Sequence, residues 1–239
     1  MTSSKEGVPK KLLIDADYLI YGVGFASEED SEKFAKSRLV ETLEDLVYIY
    51  LKADSYEAFL TGKNNYRYDI AKTVPYKGNR KDAKKPKHYD ALRECMITRL
   101  GAVVVDGQEA DDEVAIRMTK EPDKYLLVGV DKDLRQIPGW HHSPHKAHTE
   151  YIDDFAAYKN FALQLLTGDR VDNIPGLDGI GPKKAEKALK DAKTKDALLS
   201  ACFAKYQELG YTRDYFIEQG QLLWLRRTEG ELWQPSNVS

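Results

Sequence analysis

Hydrophobic positions in the first 150 residues follow two alternating patterns. Short runs of consecutive apolar residues are typical of strands that are buried on both faces of a sheet. They predict strands over 11–17, 56–61, 102–105 and 125–130. Apolar residues at helical spacing predict helices between these strands, over 28–52, 89–100 and 109–120. The alternation predicts an α/β fold in which a mostly parallel sheet is wrapped by helices.

The pattern changes near residue 150, where the strand signal fades. Helical spacing predicts helices over 153–167, 183–193, 196–209 and 214–227, and a short edge strand over 231–233. Asp153 or Asp154 is well placed to cap the first of these helices. We therefore predict two regions, an α/β core over 1–150 and a helical region over 151–239.

Composition excludes several classes of protein. Hydrophobic residues make up 42% of the 239 residues, which is enough for a folded core. No window approaches the roughly 20 apolar residues that a membrane-spanning helix needs. The first ten residues contain no apolar segment of a signal peptide, and Cys95 and Cys202 are too few for a disulfide framework. We expect a reduced cytoplasmic protein with no membrane partner.

Charge is distributed unevenly although its total is small. The chain has 36 Lys and Arg against 39 Asp and Glu, a formal net charge of −3. Residues 63–99 nevertheless carry +7 and residues 183–195 carry +4, which leaves −14 for the rest of the chain. A solvated helix face would explain either basic segment alone. The two together are typical of a surface that binds along the phosphate backbone of a nucleic acid.

Acidic residues follow the predicted strands at their carboxyl ends. Asp15 and Asp17 end the first strand, and Asp131 and Asp133 follow the fourth. The acids Glu109, Asp111 and Asp112 open the helix after the third strand, and Asp169 and Asp172 lie in the helical region. Because parallel strands end at the same edge of a sheet, we expect these side chains to meet there.

So many carboxylates require a compensating cation when they are ionised together. Ligation by oxygen alone suits Mg²⁺ or Mn²⁺, and two such ions can activate a water and stabilise the leaving oxygen of a phosphodiester. A simpler explanation exists for each acid by itself. The cluster over 109–112 could simply be favourable negative charge at a helix N-terminus. Asp131 could be an ordinary turn residue at the end of a strand.

A turn rich in glycine and proline covers residues 168–182. Gly179 and Gly181 allow a close backbone approach, and Pro182 favours the first turn of a helix. The helix N-terminus and the lysines behind it, Lys183, Lys184 and Lys187, suit a phosphate. This pattern predicts a helix–hairpin–helix that grips a DNA backbone without reading bases, with a plain helix–helix turn as the alternative.

These motifs together resemble the 5′-nuclease (flap endonuclease) superfamily, and more narrowly the 5′→3′ exonucleases of podophages. The resemblance covers roughly residues 11–190. It rests on Asp15, on the basic motif 76–80 (YKGNR), on 109–112 (EADD), on 131–133 (DKD) and on 168–181.

The resemblance implies a PIN-like α/β core and a helix–three-turn–helix at about 160–195. One metal ion would be held by Asp15, Glu109, Asp111 and Asp131 with Asp112, and a second by Asp133, Asp169 and Asp172. Lys77 and Arg80 would contact the scissile phosphate at the base of a basic arch over about 63–90. Tyr76, Lys81, Lys84 and Lys85 in this arch would also bind DNA. A potassium ion would lie near Gly179 and Gly181.

The sequence departs from the family pattern after the second strand. Family members often carry an aspartate there that reaches toward the metals, whereas this chain has Gly62 and Lys63. The departure puts the geometry around the metals in question more than the activity. Asp17 is a candidate for electrostatic compensation.

The predicted function is that of a metal-dependent 5′→3′ exonuclease that also cuts 5′ flaps. Its partners would be DNA with a free 5′ end or flap and RNA–DNA hybrids, and we expect a monomer in the cytoplasm, which is the host cytoplasm for a viral source. Three alternatives stay open: a haloacid-dehalogenase-type phosphatase, a PIN-type ribonuclease and a non-catalytic, structure-specific DNA-binding protein. Tyr18, Tyr21 and Tyr76 are candidates to stack on a 5′-terminal base. The stretch 141–148 has four histidines with zinc-compatible spacing.

Overall fold

The computed structural model describes residues 7–80 and 83–236. Its centre is a six-stranded sheet with the order β3-β2-β1-β4-β5-β6. The strands are β1 (Lys11–Asp15), β2 (Ser55–Thr61), β3 (Val103–Val105), β4 (Tyr125–Val128), β5 (Gly139–Ser143) and β6 (His148–Ile152). The mostly parallel sheet confirms the predicted fold class.

Strand β1 lies in the middle of the sheet and pairs in parallel with both β2 and β4. Ile14 is in register with Ala58 on one side and with Val128 on the other. The chain adds β2 and β3 to one side of β1 and then β4 and β5 to the other. A parallel sheet binds ligands where its strand order reverses, so the carboxyl end of β1 is the expected site.

Nine α-helices are present in the described part of the chain, together with one π-helical segment, Asp45–Tyr50. The α-helices are α1 (Asp17–Ala26), α2 (Glu32–Glu44), α3 (Arg67–Ile70), α4 (Tyr89–Thr98), α5 (Ala110–Lys120), α6 (Asp154–Thr167), α7 (Pro182–Leu189), α8 (Lys195–Glu208) and α9 (Arg213–Leu223). Asp153 caps α6 as predicted, because its Oδ1 atom accepts the N–H of Ala156 over 2.8 Å. No helix in the described residues is long and apolar enough to cross a membrane.

The chain forms two compact units that are not continuous in sequence. The core unit comprises the described residues up to Gly62, with Lys84–Val130 and Gly139–Tyr151. The helical unit comprises the described residues of Lys63–Ala83, Asp131–Pro138 and the chain from Ile152. One boundary between the units falls after Tyr151, and two earlier segments of the chain cluster with the helices.

Internal contacts explain why the segment after Gly62 clusters with the helical unit. Arg67 is 1% exposed, and its guanidinium donates to the carbonyl oxygens of Leu222 and Trp224 at 2.9 and 2.8 Å. The buried carboxylate of Glu218 accepts hydrogen bonds from the backbone of Lys72 and from both the backbone and the hydroxyl of Thr73. A buried charge with its hydrogen bonds satisfied holds this segment in place.

Several elements differ from the sequence prediction. Helix α1 begins directly at Asp17, where the pattern predicted only a strand end. The histidine stretch forms parts of β5 and β6, for which the apolar pattern predicted no strands. Residues 231–233 are not a strand, because Trp233 turns inward and packs edge-on against Phe161 and Phe216 at 5.3 and 5.6 Å. Lys81 and part of the N-terminal segment used above, residues 1–6, lie outside the described residues.

Candidate active site

Two aspartates mark the carboxyl end of β1 in the core unit. Asp15 closes the strand and is 7% exposed, and its Oδ1 atom accepts the N–H of Asp17 at 3.4 Å. The Oδ2 atom of Asp17 accepts the N–H of Thr61 at 3.0 Å, and Arg93 Nη1 lies 3.8 Å from its Oδ1 atom. Burial raises the pKa of Asp17, although Thr61 and Arg93 oppose the rise. The hydrogen bond between Asp17 and Thr61 therefore links the end of β1 to the end of β2.

The acidic turn before α5 is held by the same end of β2. The hydroxyl of Thr61 accepts the N–H of Ala110, the first residue of α5, at 3.1 Å. Glu109 and Asp112 form a reciprocal capping box, and Asp112 is completely buried. Asp111 lies in the same first turn. Glu109 and Asp112 thus cap the helix N-terminus, in line with the simpler explanation of this acidic cluster. Their capping box also fixes the turn that carries Asp111.

The departure at position 62 has a steric cause. A Cβ atom at Gly62 would lie 2.2 Å from Asp106 Oδ1 and 2.6 Å from the carbonyl oxygen of Val105. Position 62 therefore cannot carry an aspartate without moving the β3 backbone. The carboxylate of Asp106, which the sequence analysis did not single out, occupies the adjacent space.

In the helical unit, the ammonium of Lys132 holds two of the predicted metal ligands. Its Nζ atom donates to Asp169 Oδ2 and, at 3.2 Å, to Asp133 Oδ1. Asp169 is 4% exposed, and its other oxygen accepts the N–H of Val171 at 2.7 Å. Asp131 Oδ1 accepts the N–H of Asp133 at 2.8 Å. The DKD motif and Asp169 therefore form one connected charged cluster.

A chain of glutamines supports this cluster from the protein interior. The side chain of Gln164 donates to Asp133 Oδ1. Its own Oε1 atom accepts from Gln136 Nε2 at 2.6 Å, and Gln136 is 2% exposed. The direction of these hydrogen bonds aims an amide N–H at Asp133.

Crowding shifts the protonation of the cluster in opposite directions. Burial, with the carboxylates of Asp131 and Asp169, raises the pKa of Asp133 to about 7. Burial would also raise the pKa of Asp169, but the hydrogen bond and the charge of Lys132 hold it below the ordinary value. Lys132 is held above its own ordinary pKa by Asp133 and Asp169, against the effect of burial. The single positive charge of Lys132 does not balance the three carboxylates of Asp131, Asp133 and Asp169.

The basic motif 76–80 surrounds Asp172 in the same unit. Tyr76 donates its hydroxyl to Asp172 Oδ2 at 2.7 Å, and Arg80 Nη2 donates to Oδ1 at 2.7 Å. Lys77 Nζ lies 3.8 Å from Oδ1, and Lys77 adopts a positive φ of 52°. This left-handed conformation is costly for lysine and is typical of functional segments. The structure thus brings Tyr76, Lys77 and Arg80 together around a predicted metal ligand.

Tyr76 itself is 2% exposed, so its ring is not available for stacking on a base. The Tyr76 hydroxyl instead orients the Asp172 carboxylate through its hydrogen bond to Oδ2. Tyr21 is 38% exposed and packs against Tyr89 at 5.4 Å between ring centroids. In the core unit, Lys85 lies over the ring of Tyr89 at 4.4 Å, and Lys84 pairs with Glu28 at 3.4 Å.

The glycine-rich turn joins α6 to α7 as a tight backbone loop. A Cβ atom at Gly168 would lie 2.2 Å from the carbonyl oxygen of Ile174, so only glycine fits this approach. Gly179 has a positive φ of 70°, and its carbonyl oxygen accepts from Lys184 Nζ at 2.8 Å. Gly181 is the N-cap of α7, whose exposed first turns carry Lys183, Lys184 and Lys187. A cavity of about 870 Å³ lies along this turn.

The histidine stretch gives no metal centre. His142 Nδ1 pairs with the hydroxyl of Thr149 at 2.8 Å, and His145 contacts the ring of Tyr18 edge-on. Across residues 7–80 and 83–236, no three or more His, Cys, Asp or Glu side chains are gathered as a ready-made metal site.

The donors of the helical unit nevertheless fit a divalent cation by their chemistry. Asp133 and Asp169 are oxygen donors of high negative charge, and a cation, the Lys132 ammonium, lies between them. Mg²⁺ is commonly bound through one or two carboxylates, with waters and substrate phosphates as its other ligands. A bridged pair of carboxylates suits that mode of binding better than a closed cage would.

Sequence reasoning missed the residues that hold the acids in place. Lys132 stands inside the DKD motif and its position was visible, but its charge was not considered as part of the cluster. Gln164, Thr61 and Arg93 gave no signal, because a hydrogen-bonding side chain within a helix or at a strand end has many possible partners.

The fold is that of a PIN-like α/β core with a helical carboxyl-terminal region. A T5 protein co-crystallised with metal ions has the same fold, with a TM-score of 0.68 at 17% identity, covering 89% of this chain and 88% of that one. A bacteriophage T5 flap endonuclease in a pseudo-enzyme–product complex with DNA and metal ions aligns with a TM-score of 0.60 at 20% identity, over 89% and 85% of the two chains.

Sequence relatives point in the same direction. The chain is 25% identical over 218 residues to a 5′-3′ exonuclease of Mycoplasmopsis pulmonis, covering 84% of this chain and 73% of that protein. It is 29% identical over 164 residues to the flap endonuclease Xni of Shewanella sp. (strain W3-18-1), covering 61% of this chain and 60% of that protein. No family model matches the chain. Relatives and structural neighbours match the 5′-nuclease superfamily, which confirms the resemblance seen in the motifs.

Proposed function

We propose that this chain is a metal-dependent 5′ nuclease that hydrolyses DNA phosphodiester bonds, acting as a 5′→3′ exonuclease and on 5′ flaps. The observation that carries the proposal is the cluster of Asp131, Asp133 and Asp169, in which the pKa of Asp133 is raised to about 7. A buried group of carboxylates beside a basic motif is costly to a fold and is useful for holding cations against a phosphate.

The chain's carboxylates would hold two ions, Mg²⁺ or Mn²⁺. Asp133, Asp169 and Asp172 would hold one ion, and Asp15, Glu109, Asp111 and Asp131, with Asp112, would hold the other. When bound, such ions supply an activated water and stabilise the leaving oxygen. Gln164 keeps the Asp133 carboxylate oriented, and the capping box keeps the turn of Asp111 rigid.

Lys77 and Arg80 would neutralise the oxygens of the scissile phosphate. Arg80 Nε donates to the carbonyl oxygen of Val171 at 3.0 Å, and one Nη atom donates to Asp172. A guanidinium has five N–H donors, so further donors exist for a phosphate. The Arg80 side chain is 41% exposed, which leaves it accessible.

DNA would be held along two basic surfaces. Lys183, Lys184 and Lys187 with Gly179 and Gly181 would contact the duplex backbone, and a potassium ion would bind near the two glycines. Lys81, Lys84 and Lys85 would line an arch for the single-stranded 5′ end. We extend the proposal to RNA–DNA hybrids as substrates, to a monomeric state and to action in the cytoplasm, of the host if the source is viral.

The contacts of Asp17 weigh against the phosphatase alternative. A haloacid-dehalogenase-type enzyme would use Asp15 as the nucleophile and Asp17 as the general acid and base. Asp17 instead accepts the backbone N–H of Thr61 and pairs with Arg93. A general acid needs a carboxyl group that can reach the leaving group.

One assay separates the proposal from its alternatives. The full chain with Mg²⁺ would be incubated with 5′-flap DNA, single-stranded RNA and a phosphate monoester. We expect release of 5′ products from the flap DNA, with loss of activity on chelation. Cleavage of RNA alone would indicate a PIN-type ribonuclease, and hydrolysis of the monoester alone a phosphatase. Binding of flap DNA without cleavage would indicate a DNA-binding protein.

A further inference from the structure

Lys132 is the one residue of the charged cluster for which the proposed function gives no task. Its Nζ atom donates to Asp169 Oδ2 and lies 3.2 Å from Asp133 Oδ1, at the point between two carboxylates where a cation belongs. The two carboxylate side chains are 4% and 15% exposed, so water screens them poorly. Without a positive charge nearby, their ionised forms would be strongly unfavourable in this position.

The ammonium of Lys132 can withdraw from the two carboxylates without disturbing them. The Lys132 side chain is 60% exposed, so withdrawing the ammonium into solvent would cost little packing. The carboxylates are held by contacts that do not involve Lys132: Gln164 donates to Asp133, and the N–H of Val171 donates to Asp169. The oxygens would thus stay in place when the ammonium moves away.

We propose that Lys132 is a displaceable internal counter-ion, which neutralises Asp133 and Asp169 until a divalent cation binds there and releases it. The inference rests on the proposed function for the identity of the metal site. Lys132 competes directly with the divalent cation, so it lowers the affinity of this site in the absence of DNA. The released ammonium becomes available to a phosphate when the site is loaded.

The first test measures metal affinity without any DNA. Binding of Mn²⁺ to the full chain would be followed by isothermal titration calorimetry and by the free Mn²⁺ signal in electron paramagnetic resonance. Lys132→Met, which removes the charge and keeps the length, should bind Mn²⁺ about tenfold more tightly, and Lys132→Arg should bind as the unmodified chain does. Lys159→Met is the matched control, because Lys159 pairs with Glu186 at 2.9 Å in the same unit and loses the same charge.

The contrary results are equally definite. A Lys132→Met variant whose Mn²⁺ affinity is equal or weaker overturns the proposal, as does an equal tightening in Lys159→Met. Thermal unfolding distinguishes a merely structural lysine. Lys132→Met should have a lower Tm than the unmodified chain without metal and should recover it with Mn²⁺. A loss of Tm that Mn²⁺ does not restore contradicts displacement.

A second test needs no variant and so does not depend on its folding. The unmodified chain would be acylated briefly at lysines, with and without Mg²⁺, and each site would be quantified by mass spectrometry. Mg²⁺ should raise the modification of Lys132 several-fold relative to Lys159, because the ammonium is released. Unchanged or lower modification of Lys132 overturns the proposal.

Failure of the proposed function would look different from failure of this inference. If the chain is not a nuclease, flap DNA stays intact while the metal and acylation tests still report on Lys132. If Lys132 is not displaced, cleavage proceeds while Mn²⁺ affinity and acylation are unchanged.

Discussion

Asp133 lies in a crowded, negatively charged position of the helical unit. Its side chain is 15% exposed, and it lies near the carboxylates of Asp131 and Asp169. Lys132 and Gln164 donate to it, but burial and the neighbouring acids still raise its pKa to about 7. A buried carboxyl group with a raised pKa lowers the stability of the fold when it is ionised. Such a group is expected at a functional site, where function takes precedence over stability.

Replacing this acid should therefore stabilise the metal-free chain. The folded-state pKa of about 7 lies above the ordinary value of 3.8, so the stabilising protonated form is fully present below pH 3.8 and is lost as pH rises through 7. The free energy of unfolding of the unmodified chain should fall across that interval, whereas in Asp133→Asn the fall should be smaller. At pH 8 with a chelator we expect Asp133→Asn to be about 2 kcal/mol more stable in urea unfolding.

Asp191→Asn is the control, because the Asp191 side chain is 89% exposed and the same charge is lost. It should leave the unfolding curve nearly unchanged. If Asp133→Asn destabilised the chain at pH 8 without metal, the crowding derived from the contacts would be wrong.

The same acids should be essential for cleavage and dispensable for holding DNA. We expect Asp131→Asn with Asp133→Asn to abolish release of 5′ products while duplex binding stays within about threefold, because the lysines of α7 are untouched. Gel-based cleavage and fluorescence anisotropy measure the two properties separately. Normal turnover by the double variant would remove both residues from the metal site.

At the scale of elements, the end of β2 organises the acids of the core unit. Thr61 accepts the N–H of Ala110 with its hydroxyl and donates its own N–H to Asp17. The next residue, Gly62, donates its N–H to the carbonyl oxygen of Val105 at 2.7 Å. The ends of these strands and the first turn of α5 are therefore linked by hydrogen bonds in addition to packing.

A methyl group at position 62 should disturb this arrangement. Gly62→Ala would place Cβ 2.6 Å from the Val105 carbonyl oxygen, a backbone atom that cannot swing away. We expect the free energy of unfolding to fall by about 2–3 kcal/mol in urea unfolding. Gly22→Ala within α1 is the control, since nothing lies within 4 Å of its added Cβ and alanine favours a helix. Equal effects of the two substitutions would contradict the steric account of position 62.

At the scale of the whole molecule, charge is separated by sign rather than balanced locally. The net charge of −3 combines strong basic segments at 63–99 and 183–195 with an acidic remainder. The first turns of α7 carry exposed lysines behind a glycine N-cap. Such a surface attracts a polyanion even when the total charge is negative.

Salt dependence of DNA binding tests this surface. Lys183→Ala with Lys184→Ala should weaken duplex binding and lower the slope of log K against log salt by about 1.8, since each phosphate contact contributes roughly 0.9. Lys120→Ala with Lys124→Ala removes the same charge between the last residue of α5 and the start of β4, and should leave the slope unchanged. An unaltered slope in the α7 variant would remove this turn from the DNA interface.

The sequence by itself determined the fold class, most of the strands and helices, and the identity of the acids. Apolar runs and helical spacing are local properties, and the motifs EADD, DKD and GD retain their spacing in the linear chain. The resemblance to the 5′-nuclease superfamily also followed from these motifs. Local patterns were sufficient because burial of an apolar face is the main determinant of where an element forms.

Only the tertiary structure decided which side chains hold the acids and how the chain divides. The contacts of Lys132 with Asp169, of Gln136 with Gln164 and of Gln164 with Asp133 join residues more than twenty positions apart. In the histidine stretch, β5 pairs in parallel with β4, and β6 follows β5 at the edge of the sheet. Hydrogen bonds and ion pairs depend on the distance and direction of a few atoms, and a sequence does not specify these until the backbone has brought its distant segments together.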